Sequence, residues 1–243
     1  MILLIDAGNS RIKSALLDSE SLSNLAPMAT LSADPPTDWQ SLEAPSNVAI
    51  SNVAGSDVRA KLTTWIADLW LLEPTFVSVQ TPTAGVVTHY DDPSQLGVDR
   101  WLAAIGGYHM AGGAVAVVDA GTAITVDIVD DSGVHLGGTI GPGVSLMVES
   151  LTRNTARLRL DSIEHIDRVA TNTATAISMG CIDALAGGVE RMQRKIQELF
   201  GVDHQWIITG GEAPQVIGVC ETEFMHIPDL VLRGLALAIE DAS

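Results

Sequence analysis

The segment Asp6-Ala7-Gly8-Asn9-Ser10-Arg11-Ile12-Lys13 gathers a carboxylate, a glycine, an amide, a hydroxyl and cationic side chains into one short stretch. A phosphate group is held by closely approaching backbone N–H groups, by hydroxyl or amide donors, and by a cation. Gly8, Asn9, Ser10 and Lys13 supply that set. Asp6 adds an oxygen ligand for Mg2+, directly or through water, because that ion takes carboxylates and keeps several waters. A polar turn without any ligand would also use Asn and Ser. The same logic returns at Val118-Asp119-Ala120-Gly121-Thr122-Ala123, where Thr122 offers a hydroxyl to a phosphate oxygen and Asp119 is a second cation-seeking carboxylate. Two such loops facing each other would clamp a triphosphate, so the pair is more specific than either member.

Phosphoryl transfer also needs a group that accepts the hydroxyl proton and a cation that neutralises charge. Leu96-Gly97-Val98-Asp99-Arg100 provides both, with Asp99 as the base and Arg100 as the anion ligand. An exposed ion pair on a helix would account for the same two residues. Farther on, Trp206-Ile207-Ile208-Thr209 leads into Gly210-Gly211-Glu212. A strand ending in two glycines lets a flat ligand such as adenine or ribose approach the backbone, although a plain strand–helix turn explains the pair nearly as well. Cys181 and Cys220 stand far apart without a CxxC partner and read as small core residues.

The elements that must position these groups repeat. Each Asp-Ala-Gly turn lies between apolar runs, 1–5 and 12–17 in the first copy, 114–118 and 124–129 in the second. That pattern describes a β-hairpin. In the first half a third strand near 28–31 and a short helix precede a strand at 47–53, a helix at about 56–70, a strand at 74–79 and a helix from Pro93 to about Met110. In the second half Ser132-Gly133 turns into a strand at 134–138, and a helix follows Pro142-Gly143. A long helix at about 173–200, a strand at 205–209, a helix opened by Gly210-Gly211 and a last helix at about 229–239 complete it. A duplicated β-β-β-α-β-α unit implies two similar α/β lobes, 1–112 and 113–243, with a nucleotide cleft between them and the boundary at Gly112-Gly113.

Composition narrows the class. The chain has 243 residues, 30 acidic against 13 basic, and a net charge of −17. Such a surface repels nucleic acid and anionic lipid. It also repels ATP at long range, so a nucleotide site must be built locally from backbone N–H groups, a few cations and bound metal. No apolar run is long enough to span a bilayer, and the start carries no basic-then-apolar leader. A cytoplasmic protein is expected.

Together the segments resemble the type III pantothenate kinases, a branch of the acetate and sugar kinase, heat-shock chaperone and actin superfamily. The stretches are DAGNSRIK at 6–13, YDDPSQLGVDR at 90–100, DAGTAITVD at 119–127, GGTIGPG at 137–143, NTATAISMG at 172–180 and ITGGEA at 208–213. They occur in the family's order over nearly the whole chain. The resemblance implies two ribonuclease H-like lobes of the actin-like ATPase fold. It implies ATP, with Mg2+, bound by Asp6, Ala7, Gly8, Asn9, Ser10, Arg11, Ile12, Lys13 and Thr122. A monovalent cation, K+ or NH4+, would sit at Asp119, and Asp99 would be the proton acceptor. Pantothenate would be held by Tyr90, Gly97, Val98, Asp99 and Arg100, with Thr173 reaching in from the partner subunit of a homodimer. A threonine at that helix start would otherwise serve only as a cap. The stretch 153–170 aligns to the family only loosely. Rival readings are a kinase of the same superfamily for another small hydroxy acid or sugar, and a non-catalytic accessory or regulatory relative. A chaperone-like ATPase would need a substrate-binding appendage that the chain lacks.

Overall fold

In the computed structural model the described residues are 1–19, 21–153, 163, 169–201 and 204–242. Most of the loosely aligned 153–170 stretch therefore lies outside the described residues. The chain forms two compact units, one of Met1–Gly112 with Gly133–Leu136 and Asp229–Ser243, the other of Gly113–Ser132 with Gly137–Pro228.

The first unit opens with β1 (Ile2–Ala7) and β2 (Arg11–Asp18), an antiparallel hairpin in register from Ile2 opposite Leu17 to Ala7 opposite Ile12. Next come β3 (Ser21–Asn24), β4 (Met28–Ala29) and α1 (Thr37–Ser41). After them run β5 (Asn47–Asn52), α2 (Ser56–Trp70), β6 (Thr75–Phe76), β7 (Val87–Thr88) and α3 (Val98–Ala111). The sheet order is β3-β2-β1-β5-β6, with β4 also on β2. The apolar run of β1 suits the sheet centre, where both faces are covered: Leu3, Leu4 and Ile5 have no exposure. Val58, Leu62, Trp65 and Ile66 line one stripe of α2, the spacing of a helix face. They pack on Leu3, Ile5, Ile12, Val48 and Ile50. Trp39 of α1 closes that layer, edge-on to Trp65 at 6.4 Å and donating from Nε1 to Ser14 Oγ at 3.0 Å.

The second unit follows the same plan. Its strands are β8 (Val115–Ala120), β9 (Ala123–Val129) and β10 (Val134–Pro142), the last entering it at Gly137. Then come α4 (Val144–Thr152), the long α5 (Thr173–Phe200), β11 (Gln205–Thr209), α6 (Ala213–Ile217) and β12 (Met225–His226). The order β10-β9-β8-β11-β12 reproduces β3-β2-β1-β5-β6, with a hairpin at the centre and a parallel strand beside it in both. The duplication seen in the sequence is thus a duplication of topology. Among the described residues no helix is long and apolar enough to cross a membrane.

Some boundaries differ from the sequence expectation. The helix foreseen from Pro93 is split: Pro93–Gln95 form a 3-10 turn, Leu96 and Gly97 are extended, and α3 begins at Val98. The third strand is two short pieces, β3 and β4. The last helix, α7 (Leu230–Asp241), packs against α3 within the first unit.

The α3–α7 crossing is backbone against backbone. A Cβ on Gly106 would lie 2.8 Å from Leu230 O, and one on Gly234 would overlap Leu102 O. Glycine at both positions lets the axes approach, which places the first turn of α3 relative to the sheet. Gly234→Ala should force the helices apart. The gain in helix propensity is about 1 kcal/mol, but overpacking costs roughly 1–3 kcal/mol or more. A melting temperature lowered by roughly 5 °C or more is expected, and an unchanged thermal melt would refute the close crossing.

Candidate active site

The loop between β1 and β2 is held from below. Gly8 N donates to Arg11 O at 3.0 Å, closing the turn. Ala7 and Ile12 point into the core at 0% and 1% exposure, so any contact they make with a ligand is through the backbone. Asn9, Ser10 and Arg11 are exposed, and Asp6 and Lys13 are half-buried side by side across the hairpin. Thr30, which the sequence did not single out, braces both sides of this loop. Its Oγ1 donates to Gly8 O at 2.7 Å and its N–H to Ser10 O at 3.1 Å. Lys61 Nζ in turn donates to Thr30 O and Ser32 O while lying over the Trp65 ring. An α2 lysine carries no sign in sequence of such a partner.

In the second unit Thr122 is exposed and Asp119 half-buried, at the matching turn. Gly143 N donates to Thr122 O at 2.9 Å. Glu212 N donates to Ala120 O at 2.7 Å, and the Glu212 carboxylate accepts from Val144 N at 2.7 Å and Ser145 N at 3.0 Å. The carboxylate thereby satisfies the first N–H groups of α4, where the helix dipole favours negative charge. The two glycines of the sequence motif do not open a helix at once: α6 begins at Ala213, and Gly210 has φ +98°. A Cβ on Gly210 would come within 2.5 Å of Asp119 Oδ1. Glycine therefore leaves the Asp119 carboxylate its space.

Each motif aspartate has aligned sheet neighbours on its own face. Asp6 lies between Lys13 and Ser51, Asp119 between Thr125 and Thr209. Among the described residues no group of three or more His, Cys, Asp or Glu side chains is placed to hold a metal. Each aspartate offers a single carboxylate, a provision that fits a cation whose other ligands are phosphate oxygens and water.

The first unit also holds together the residues expected on the acceptor side. Arg100 is 7% exposed, which rules out the solvent-exposed ion pair. Its Nη1 donates to Tyr90 Oη at 3.0 Å, and its guanidinium carbon lies 5.9 Å from the Tyr90 ring centre. Asp99 folds back over the first turn of α3, Oδ1 accepting from Arg100 N at 2.8 Å. A Cβ on Gly97 would sit 2.6 Å from that oxygen, so glycine is needed for this pose. Val98 is buried and anchors the turn in the core. The approach from Tyr90 is stiffened by Asp92, which accepts from Ser94 Oγ at 2.7 Å, Ser94 N at 3.0 Å and Gln95 Nε2 at 3.2 Å. Those bonds, Ser94 Oγ foremost, hold the Asp92 carboxyl below the usual carboxylate range.

Thr173 lies elsewhere, exposed on the first turn of α5 in the second unit. The cap of that helix is its neighbour Asn172, whose Oδ1 accepts from Thr175 N at 2.9 Å. The capping role considered for Thr173 is therefore filled by another residue.

A twice-used sheet order with an Asp-Ala-Gly hairpin at each centre defines the actin-like ATPase fold. The archaeal actin homologue Ta0583 shares it, with a TM-score of 0.50 at 12% identity over 98% of this chain and 99% of that one. So does a Campylobacter jejuni protein described as a Baf-family transcriptional activator, with a TM-score of 0.62 at 22% identity over 99% and 98%. Within that fold the chain belongs to the type III pantothenate kinase family, whose model matches residues 2–195. The type III pantothenate kinase of Aromatoleum aromaticum is 39% identical over the full length of both chains. That of Nitrosococcus oceani is 32% identical over 100% of this chain and 95% of its own.

Proposed function

We propose that this chain transfers the γ-phosphoryl group of ATP to the hydroxyl of pantothenate, giving 4'-phosphopantothenate, the first step toward coenzyme A. The observation that carries the reading, within the family assignment, is the pairing of Asp99 with the buried Arg100 on the first turn of α3. An oxygen of Asp99 takes the hydroxyl proton as the acceptor oxygen bonds to the γ-phosphorus and the bond to the ADP oxygen breaks. Arg100, fixed by Tyr90, binds the pantothenate carboxylate, and Gly97 and Val98 shape the pocket wall. The loop 6–13 and Thr122 serve the phosphates of ATP. Asp6 would hold the Mg2+ carried by the nucleotide and Asp119 a K+ or NH4+ ion, charges that would neutralise the phosphates. The enzyme acts in the cytoplasm.

A homodimer completes this proposal. In the second unit an apolar groove of about 500 Å3 between α4 and α5 is lined by Met147, Leu151, Ile177, Ala184 and, at its end, Thr173. Leu151 is 52% exposed there. A second copy of the chain covering that groove would bring Thr173 to its neighbour's pantothenate.

Asp99→Asn should lower kcat by about 10²–10⁴-fold at nearly unchanged KM for ATP. Near-normal turnover in a folded variant would remove Asp99 from the chemistry. Replacing sodium by potassium or ammonium at fixed ionic strength should raise the rate, and equal rates in all three salts would count against a cation at Asp119. Because Asn172 is the cap, Thr173→Ala should leave the thermal melt unchanged while raising KM for pantothenate alone. Mixing Thr173→Ala with Asp99→Asn chains should then restore activity, whereas verified heterodimers without recovery would confine each pocket to one chain.

A further inference from the structure

Strand β10 begins in the first unit, and its second residue is a histidine with no exposed surface, His135. Gly133, at φ +83°, makes the turn that brings it there, and Val134 and His135 pair with Val87 and Thr88 of β7. The imidazole meets the acceptor-side residues from two directions. Tyr90 stacks on it, ring centres 5.7 Å apart and planes within 8°, and Trp101 of α3 meets it edge-on at 6.1 Å. Its Nδ1 shares a 3.0 Å hydrogen bond with Thr88 Oγ1, the same oxygen that accepts from Tyr90 N at 3.2 Å. His89 N donates to His135 O at 3.0 Å. The histidine thus joins the segment carrying Tyr90, just past β7, to the helix carrying Asp99 and Arg100.

We propose that His135 is a positioning residue for the acceptor: it sets the Tyr90 ring, and through the Tyr90 hydroxyl the direction of the Arg100 guanidinium. The inference rests on the pantothenate kinase reading above. The physical reason is that Arg100 has a long, flexible stem, so a buried guanidinium keeps one direction only where its partners are fixed. Tyr90 Oη is such a partner, and the ring bearing it is fixed by the stack on His135 and by the Thr88 hydrogen bond. A displacement of order 1 Å at a binding group weakens its use severely. The nucleotide loop 6–13 makes none of these contacts and should be indifferent.

The test is steady-state kinetics of the full-length chain with both substrates varied. His135→Ala should raise KM for pantothenate by about tenfold or more, with KM for ATP within twofold. His135→Phe keeps a ring for the stack and should recover most of that loss. Thr88→Val, which removes the shared oxygen but leaves the core filled, should raise KM for pantothenate alone by a smaller factor. Parallel rises in both KM values, or an unchanged KM for pantothenate in folded His135→Ala, would overturn the role. If His135→Ala does not fold, Thr88→Val decides, and an unchanged pantothenate KM there overturns it equally. Absence of pantothenate-dependent ATP consumption in the unaltered chain would instead refute the functional reading itself.

Discussion

A chain of net charge −17 that handles two anions has to make its positive potential locally. The Debye length in physiological salt is about 8 Å, so exposed carboxylates elsewhere on the surface contribute little inside a pocket. The cations near it decide. Among the described residues Arg100 is the one Lys or Arg that is buried. A guanidinium out of water is costly unless its donors are met. Much of the segment 90–100 can be understood as meeting that condition: Tyr90 accepts from Arg100, Asp92 stiffens the stretch between them, and Gly97 leaves room for the adjoining Asp99.

The two Asp-Ala-Gly loops, the proposed phosphate sites, would solve the same problem differently. Each lies at the end of a central strand beside a parallel neighbour, β5 or β11, the end of an α/β sheet where ligands commonly bind. Under the proposed reaction the donors there would be backbone N–H groups, which carry no net charge and cost nothing to desolvate beyond their own hydrogen bonds. What the duplication preserves is this backbone arrangement. What has diverged is the bracing, supplied by Thr30 and Lys61 in the first unit and by Glu212 and the start of α4 in the second.

Much of this was legible in the sequence because hairpins and glycine turns are local. The repeated Asp-Ala-Gly turn identified both central hairpins, and alternating elements led to the duplicated order. The motif residues 90–100 proved to be one cluster within the first unit. The interruption at Leu96 and Gly97 was missed because Pro93 looks like a helix start, while the Asp92 side chain closes a short turn there instead. His135, Thr30 and Lys61 were invisible for a different reason. Each acts through hydrogen-bond partners 20 to 47 residues away, and a histidine inside an apolar strand has no local signature of its contacts.

The contrast between the two kinds of recognition bears on selectivity under the proposed reaction. An acceptor read by fixed, buried side chains is discriminated strongly, since an analogue lacking its anion would leave Arg100 desolvated with one partner fewer. Phosphates read by loop N–H groups would be alike in every nucleoside triphosphate. The Asp99–Arg100 turn is carried on an element held backbone to backbone, α3 on α7, whereas Asn9, Ser10 and Thr122 are exposed on turns. Under the proposed reaction, discrimination is therefore expected to fall on the acceptor, with the phosphoryl donor chosen largely by its triphosphate.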